Sequence, residues 1–85
     1  MPVALFNLAS ALLEQDRPAE AVALLDGHTG LRMRDPRLAE VYVDALVHSG
    51  EAAAAAAAFD VLLGLDLDPA DRARIENRRA ALLGE

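Results

Sequence analysis

The sequence predicts an all-α fold built from stacked helix pairs, and three observations support this prediction. First, alanine and leucine dominate the composition, and both favour helices because their side chains lose little freedom in a helical turn. Second, Pro18, Pro36 and Pro69 each stand where a helix would begin, and the first helical position accepts proline readily. Third, apolar residues recur at a fixed spacing, which is typical of helical repeats.

The recurring spacing is thirty-four residues. It aligns Leu8 with Tyr42 in the first helix of each unit, and Leu25 with Phe59 in the second helix. The same spacing relates Ala9 to Val43, Ala11 to Ala45, Leu12 to Leu46, Ala21 to Ala55, Asp16 to Gly50, and Val41 to Ile75. We therefore predict two helix pairs followed by the start of a third pair.

Local signals predict where the helices begin and end. Asp35 and Asp68 are expected N-caps, since a carboxylate oxygen accepts hydrogen bonds from amide groups that the first helical turn leaves unpaired. Ser49-Gly50 is predicted to end the third helix with a left-handed residue, and the Gly-His-Thr-Gly segment at 27–30 to interrupt the chain. The expected helices span residues 3–15, 18–26, 36–48, 51–65 and 69–83.

We predict a single domain over residues 1–85. Its first unit spans residues 3–35, its second unit residues 36–68, and a C-terminal capping helix residues 69–83. The last helix is the most polar, which suits the solvated end of a repeat array. The alanine run at 52–58 has two interpretations, low complexity or close packing. We favour packing, because small side chains let helix backbones approach each other.

Composition excludes several classes of function. The net charge of −6 opposes binding to nucleic acid and to anionic membrane surfaces. The chain has no cysteine, which excludes disulfides, thiolate metal sites and cysteine nucleophiles. No stretch approaches the roughly 20 apolar residues of a membrane-spanning helix, and the N-terminus lacks the features of a signal peptide. A cytoplasmic location is expected.

In residues 5–26, large apolar residues surround a small one on the first helix, and an alanine precedes a bulky residue on the second. These residues are Leu5, Leu8, Ala9 and Leu12, followed by Ala21 and Leu25. The pattern resembles a tetratricopeptide repeat. Residues 37–67 match it more loosely, since Ala39 replaces the expected large residue and Val43 the small one.

The resemblance covers nearly the whole chain, as about two and a half repeats. It implies a right-handed α-α superhelix of about five antiparallel helices. Repeats of this kind close a core only when about three are stacked. A fragment of a longer protein and a self-associating module are therefore both expected possibilities.

In this family the first helix of each repeat lines a groove that receives a peptide or helix of another protein. The resemblance thus implies a non-catalytic scaffold or adaptor without cofactor or metal. The groove residues that it implies are Phe6, Ser10, Leu13, Arg37, Glu40, Asp44, His48, Arg74 and Arg78. The family's carboxylate clamp is not expected, because Phe6, Val41 and Ile75 stand where the clamp requires polar or basic residues.

Two alternatives to partner binding stay open at this point. An exposed apolar end at Val3, Phe6 and Leu13 favours self-association into a homo-oligomer, because an uncapped end of a repeat array is a ready contact surface. The arginine-rich last helix, with Arg72, Arg74, Arg78 and Arg79, favours nucleic-acid binding. Neighbouring acidic residues dilute that cluster, and it offers no aromatic side chain for stacking on bases.

No set of residues predicts catalysis or metal binding. His28 and His48 lie on different elements, whereas a zinc site requires three or four converging ligands. Ser10, Thr29 and Ser49 lack a histidine–acid arrangement that would activate a nucleophile, and a helix end explains Ser49 better. The acidic residues within 60–71 lack the alternating ligands and the glycine of a calcium loop. We therefore do not expect an enzyme.

Overall fold

A computed structural model describes residues 2–83 of the chain. Over these residues it contains six α-helices and no β-strand, which confirms the predicted all-α class. The helices are α1 (Pro2–Glu14), α2 (Pro18–Asp26), α3 (Thr29–Arg32), α4 (Pro36–His48), α5 (Ala52–Leu63) and α6 (Pro69–Leu83).

The prediction of about five helices is wrong by one, because a short helix, α3, begins inside the segment 27–30 that was expected to interrupt the chain. Gly27 ends α2, but the chain becomes helical again at Thr29, whose hydroxyl donates to the Asp26 carbonyl at 3.1 Å. This single turn packs Leu31, which is half-buried, against the core cluster formed by Ala9, Leu25, Leu38 and Val41. Burial of a leucine therefore favours the extra turn despite two glycines in the segment.

The helix starts confirm the two predicted aspartate caps. The Asp35 carboxylate accepts from the Arg37 amide at 3.0 Å, and the Asp68 carboxylate accepts from the Asp71 amide at 2.9 Å. Each cap satisfies an amide that has no partner within its helix.

The ends of α1 and α4 have the same backbone geometry. Asp16 and Gly50, thirty-four positions apart, both adopt a left-handed conformation, with φ of 59° and 78°. In each case the following amide donates back into the helix, from Arg17 to the Leu12 carbonyl at 2.8 Å and from Glu51 to the Leu46 carbonyl at 3.0 Å. This is the Schellman arrangement, and the repeat spacing is therefore present in the backbone.

Helix α4 lies at the centre of the domain. It packs against α1, α2, α3 and α5, while α6 packs against α5. The core divides into two clusters that α4 joins. One cluster combines α4, α5 and α6 through Ala39, Val43, Leu46, Ala55, Ala58, Phe59, Leu62 and Ile75. The other combines α1, α2 and α4 through Ala9, Leu25, Leu38 and Val41.

The alanine run of α5 packs along only part of its circumference. Ala55 and Ala58 are buried, whereas Ala57 and residues 52–54 are exposed. Close packing therefore explains the buried positions, and the others form a solvated face of the helix.

Candidate partner-binding groove

A cavity of about 320 Å³ lies between α1 and α4. Phe6, Leu13 and Val41 supply its apolar wall, and four polar side chains lie around them. The cavity is lined by Phe6, Ser10, Leu13, Arg37, Glu40, Val41 and Asp44. Its volume lies near the lower end of ligand pockets, which run from about 300 to 1,000 Å³.

A second, smaller cavity of about 120 Å³ lies between α4 and α6. It is lined by Pro36, Arg37, Glu40, Leu67, Asp71, Arg74 and Ile75. Arg37 and Glu40 line both cavities. The two cavities are therefore adjacent, and together they form a single candidate groove over α1, α4 and α6.

Ion pairs across the groove join α6 to α4. Arg74 donates to both Glu40 oxygens, at 2.5 and 3.1 Å. Arg78 donates to Glu40 at 2.6 Å and also to Asp44. Arg74 and Glu40 are thirty-four residues apart, as are Arg78 and Asp44. Positions that are equivalent in the repeat thus face each other across neighbouring helices.

These ion pairs keep Glu40 charged but compensated. The hydrogen bond from Arg74 is the largest influence on Glu40 and lowers its pKa below the ordinary value of 4.5, although partial burial opposes this shift. Arg78 lowers the same pKa further through its charge. The hydrogen bond to Glu40 in turn raises the pKa of Arg74. The middle of the groove therefore carries little net charge despite its many ionic groups.

Eight of the nine groove residues predicted from the sequence lie together in the structure. Phe6, Ser10, Leu13, Arg37, Glu40 and Asp44 line the first cavity, Arg74 lines the second, and Arg78 bridges Glu40 and Asp44. His48 is separate from both cavities, at the exposed end of α4. Its Nδ1 lies 2.7 Å from the Asp44 carbonyl oxygen, so the ring is used within its own helix.

The groove also contains residues absent from the predicted set. Val41 lines the first cavity although only 7% of its surface is exposed, and Leu67 lines the second from the segment before α6. Val41 could have been identified from the sequence, because it precedes Asp44 by three residues and therefore lies on the same helix face. Leu67 lies outside any helix, so no periodicity could have predicted its position.

A separate polar cluster lies around Tyr42, on the contact between the two units. The Tyr42 hydroxyl donates to Asp26 at 2.7 Å, and the Arg32 guanidinium lies 4.0 Å from the centre of the ring. Burial raises the pKa of Tyr42, and the hydrogen bond to Asp26 raises it further. This cluster joins α2, α3 and α4, and we interpret it as structural.

The arginines of α6 all make intramolecular contacts. Arg72 donates to the Leu63 and Leu65 carbonyls at 2.7 and 3.2 Å, beyond the end of α5. Arg74 and Arg78 pair with the acids of α4, and Arg79 lies 3.5 Å from Asp60. The positive charge of this helix is thus largely balanced by neighbouring groups.

Residues 2–83 contain no cluster of three or more histidine, aspartate or glutamate side chains arranged to bind a metal ion. None of the described helices has both the length and the apolar character needed to cross a bilayer. Comparison of the chain with protein-family models, curated proteins and solved structures gives no match. The functional proposal therefore rests on the geometry of the groove.

Proposed function

We propose that this chain is a non-catalytic interaction module of the tetratricopeptide type, which holds a short segment of another protein across α1, α4 and α6. The observation that supports this most is the cavity between α1 and α4. It lies at positions that recur in the repeat, and its lining includes six residues for which the resemblance to a tetratricopeptide repeat implied a place in a groove. In this proposal the helix pairs step around a right-handed superhelix.

The chemistry of the cavity favours an apolar anchor on the partner. Phe6, Leu13 and Val41 offer an apolar wall, while Arg74 and Arg78 compensate the charge of Glu40. A charged partner side chain that reached Glu40 would lose its hydration there without gaining a free counter-ion. A bulky apolar side chain would bury surface against the wall at about 25 cal/mol per Å².

The polar rim supports a role in orientation. Ser10 can donate and accept hydrogen bonds, and Arg37 is exposed above the Phe6 ring, 5.9 Å from its centre. Asp71 lies farther along, in the second cavity. We expect the anchor to supply affinity and these polar groups to fix the register of the bound segment.

The same groups argue against catalysis in the cavity. A general base works best when its pKa lies near the operating pH, but the arginine contacts lower the pKa of Glu40. The cavity lining contains Ser10 but no histidine, so the serine lacks an adjacent base that would activate it.

Selection from a random-peptide display library against the folded domain tests the proposal. Selected peptides should share one bulky apolar residue at a constant position. Ser10→Leu, which places an apolar side chain in the cavity, should weaken their binding at least about tenfold. Asn7→Leu introduces the same residue at an exposed site of α1 outside both cavities, and should leave binding unchanged.

Circular dichroism of both variants should match that of the parent chain. Peptides without an apolar anchor, equal binding by Ser10→Leu and the parent, or no enrichment above background would each contradict the proposal. Binding that is lost together with helicity would assign Ser10 to the core.

A further inference from the structure

Helix α1 has an apolar stripe on the side opposite the groove. We define this outer stripe as Ala4, Leu8 and Ala11, whose spacing of four and three residues places them on one helix face. Leu8 is 51% exposed, Ala4 is exposed and Ala11 is half-buried. The expected apolar end was assigned to Val3, Phe6 and Leu13, but Phe6 and Leu13 line the groove cavity instead.

The second unit shows what covers such a stripe. The residues of α4 thirty-four positions later are Leu38, Tyr42 and Ala45. Leu38 and Ala45 are fully buried, and Tyr42 contacts α2 and α3 through its hydroxyl and its ring. Helical elements of the preceding unit therefore cover the α4 stripe. Among residues 2–83, no corresponding element covers Leu8.

We propose that the outer stripe binds the same stripe of a second copy of this chain, with the two α1 helices antiparallel. In an antiparallel pair with this heptad spacing, Leu8 of each copy lies over Ala11 of the other, so that a large side chain meets a small one. The two-fold axis then passes between these two layers. Alanine at positions 4 and 11 lets the helix backbones approach closely.

Charge favours the antiparallel arrangement of the two helices. Glu14 is the only ionisable side chain within α1. Antiparallel pairing places each Glu14 near the first turn of the other α1, where unpaired amides carry partial positive charge. Parallel pairing would place the two carboxylates side by side. No other charged side chain of α1 opposes the contact.

The size of the contact predicts a weak dimer. A 13-residue helix is about 20 Å long, and one helix pair buries less than the roughly 1,200 Å² of a standard stable interface. We expect a dissociation constant on the order of 0.1 mM. Each copy carries a net charge of −6, so added salt should strengthen the dimer by screening the repulsion between the copies.

Sedimentation equilibrium of the parent chain tests the dimer directly. The dimer fraction should rise through about 0.1 mM and should increase with salt. Leu8→Glu should remain monomeric with unchanged helicity. The matched control is Leu82→Glu, because Leu82 is 46% exposed on α6; this variant should dimerise like the parent. A parent chain that stays monomeric up to about 1 mM would overturn the proposal.

Single cysteines test the register, since the chain contains none of its own. An oxidised mixture of Leu8→Cys and Ala11→Cys should give mainly the mixed disulfide dimer, which intact mass distinguishes from both homodimers. Leu82→Cys should form dimers at least about tenfold more slowly, as expected for random collision. Predominant homodimers would indicate parallel packing and contradict the proposal. Equal rates of disulfide formation for Leu8→Cys and Leu82→Cys would also contradict it.

These tests are independent of the groove, because the outer stripe and the groove lie on opposite sides of α1. Ser10→Leu should dimerise like the parent even if it loses peptide binding. A monomeric chain that requires Leu8 to bind a different protein would overturn the assignment of a second copy as the occupant.

Discussion

Replacing Arg78 by methionine should loosen α6 from the rest of the domain. Arg78 bridges Glu40 and Asp44 of α4, and all three side chains are partly buried, with 31% of Arg78 exposed. Glu40 keeps its contact with Arg74 in the variant, but Asp44 loses its ion pair. Exposed ion pairs contribute about 0–1 kcal/mol, and breaking a fully buried pair costs about 3–5 kcal/mol. At this intermediate burial, we expect a loss of about 1–2 kcal/mol.

Urea denaturation followed by circular dichroism measures this loss, and hydrogen exchange locates it. For a domain of this size, the melting temperature should fall by about 5–10 °C. Amides of α6 should exchange faster, whereas those of α4 should change less. Methionine keeps an unbranched apolar stem, so the substitution mainly removes the charge and its hydrogen bonds.

The matched control is Arg37→Met, since Arg37 is 57% exposed and reaches Asp35 only at 3.4 Å. Its stability should change by less than about 0.5 kcal/mol. In a double-mutant cycle, Asp44→Asn should lower the stability of the parent but change that of Arg78→Met only slightly. The coupling energy between the two residues should be about 1 kcal/mol. Equal losses at Arg37 and Arg78, or no coupling to Asp44, would refute this account of how α6 is attached.

Three further predictions concern Glu40, the helix ends and Tyr42. The folded-state pKa of Glu40 is lowered from 4.5. The charged carboxylate therefore stabilises the fold above pH 4.5, and this contribution is lost as the pH falls through the lower folded-state pKa. Glu40→Gln should be less stable than the parent at neutral pH, and urea titrations should show the difference shrinking in acid. Gly50 has a φ of 78°, and a Cβ added there would meet open space, so only backbone strain should make Gly50→Ala less stable, by about 1 kcal/mol. Asp16 has a φ of 59°, so Asp16→Gly should be neutral or stabilising. Thermal denaturation measures both changes. Tyr42→Phe removes the 2.7 Å hydrogen bond to Asp26 and should cost about 1 kcal/mol in urea denaturation.

Each of these three predictions has a contradicting outcome. A stability difference at Glu40 that persists unchanged in acid would mean that the carboxylate charge is not responsible. Losses of the same sign at Gly50 and Asp16 would contradict the argument from backbone conformation. An unchanged stability of Tyr42→Phe would show that water replaces the Asp26 contact without cost.

Much of the candidate groove could be predicted because the resemblance to a tetratricopeptide repeat implies which helix faces line a groove. Phe6, Ser10 and Leu13 share one face of α1, and the repeat spacing places Glu40 and Asp44 on the equivalent face of α4. The prediction failed at His48, which lies at the exposed end of α4 and is separate from both cavities. The sequence pattern that defines a helix face can continue past the end of the neighbouring helix. Only the packed structure shows which residues of that face still have a neighbour.

Exposure was predicted less well than helix position. Leu8 belongs to the same apolar pattern as Leu12 and aligns with Tyr42, yet it is half exposed while Tyr42 contacts α2 and α3. The reason is that burial depends on a neighbouring element and not on the residue itself. The alanine run of α5 behaves in the same way, since Ala55 is buried and Ala57 is exposed.

Local sequence signals predict the all-α class, the starts of α2, α4 and α6, and the left-handed end of α4 at Gly50. These features depend on local chemistry, because caps, prolines and glycines act on the backbone within a few residues. The tertiary structure decided the extra turn of α3, the pairing of Arg74 and Arg78 with α4, and which apolar faces are covered. These features depend on contacts between residues far apart in the chain, which form only when the helices have packed.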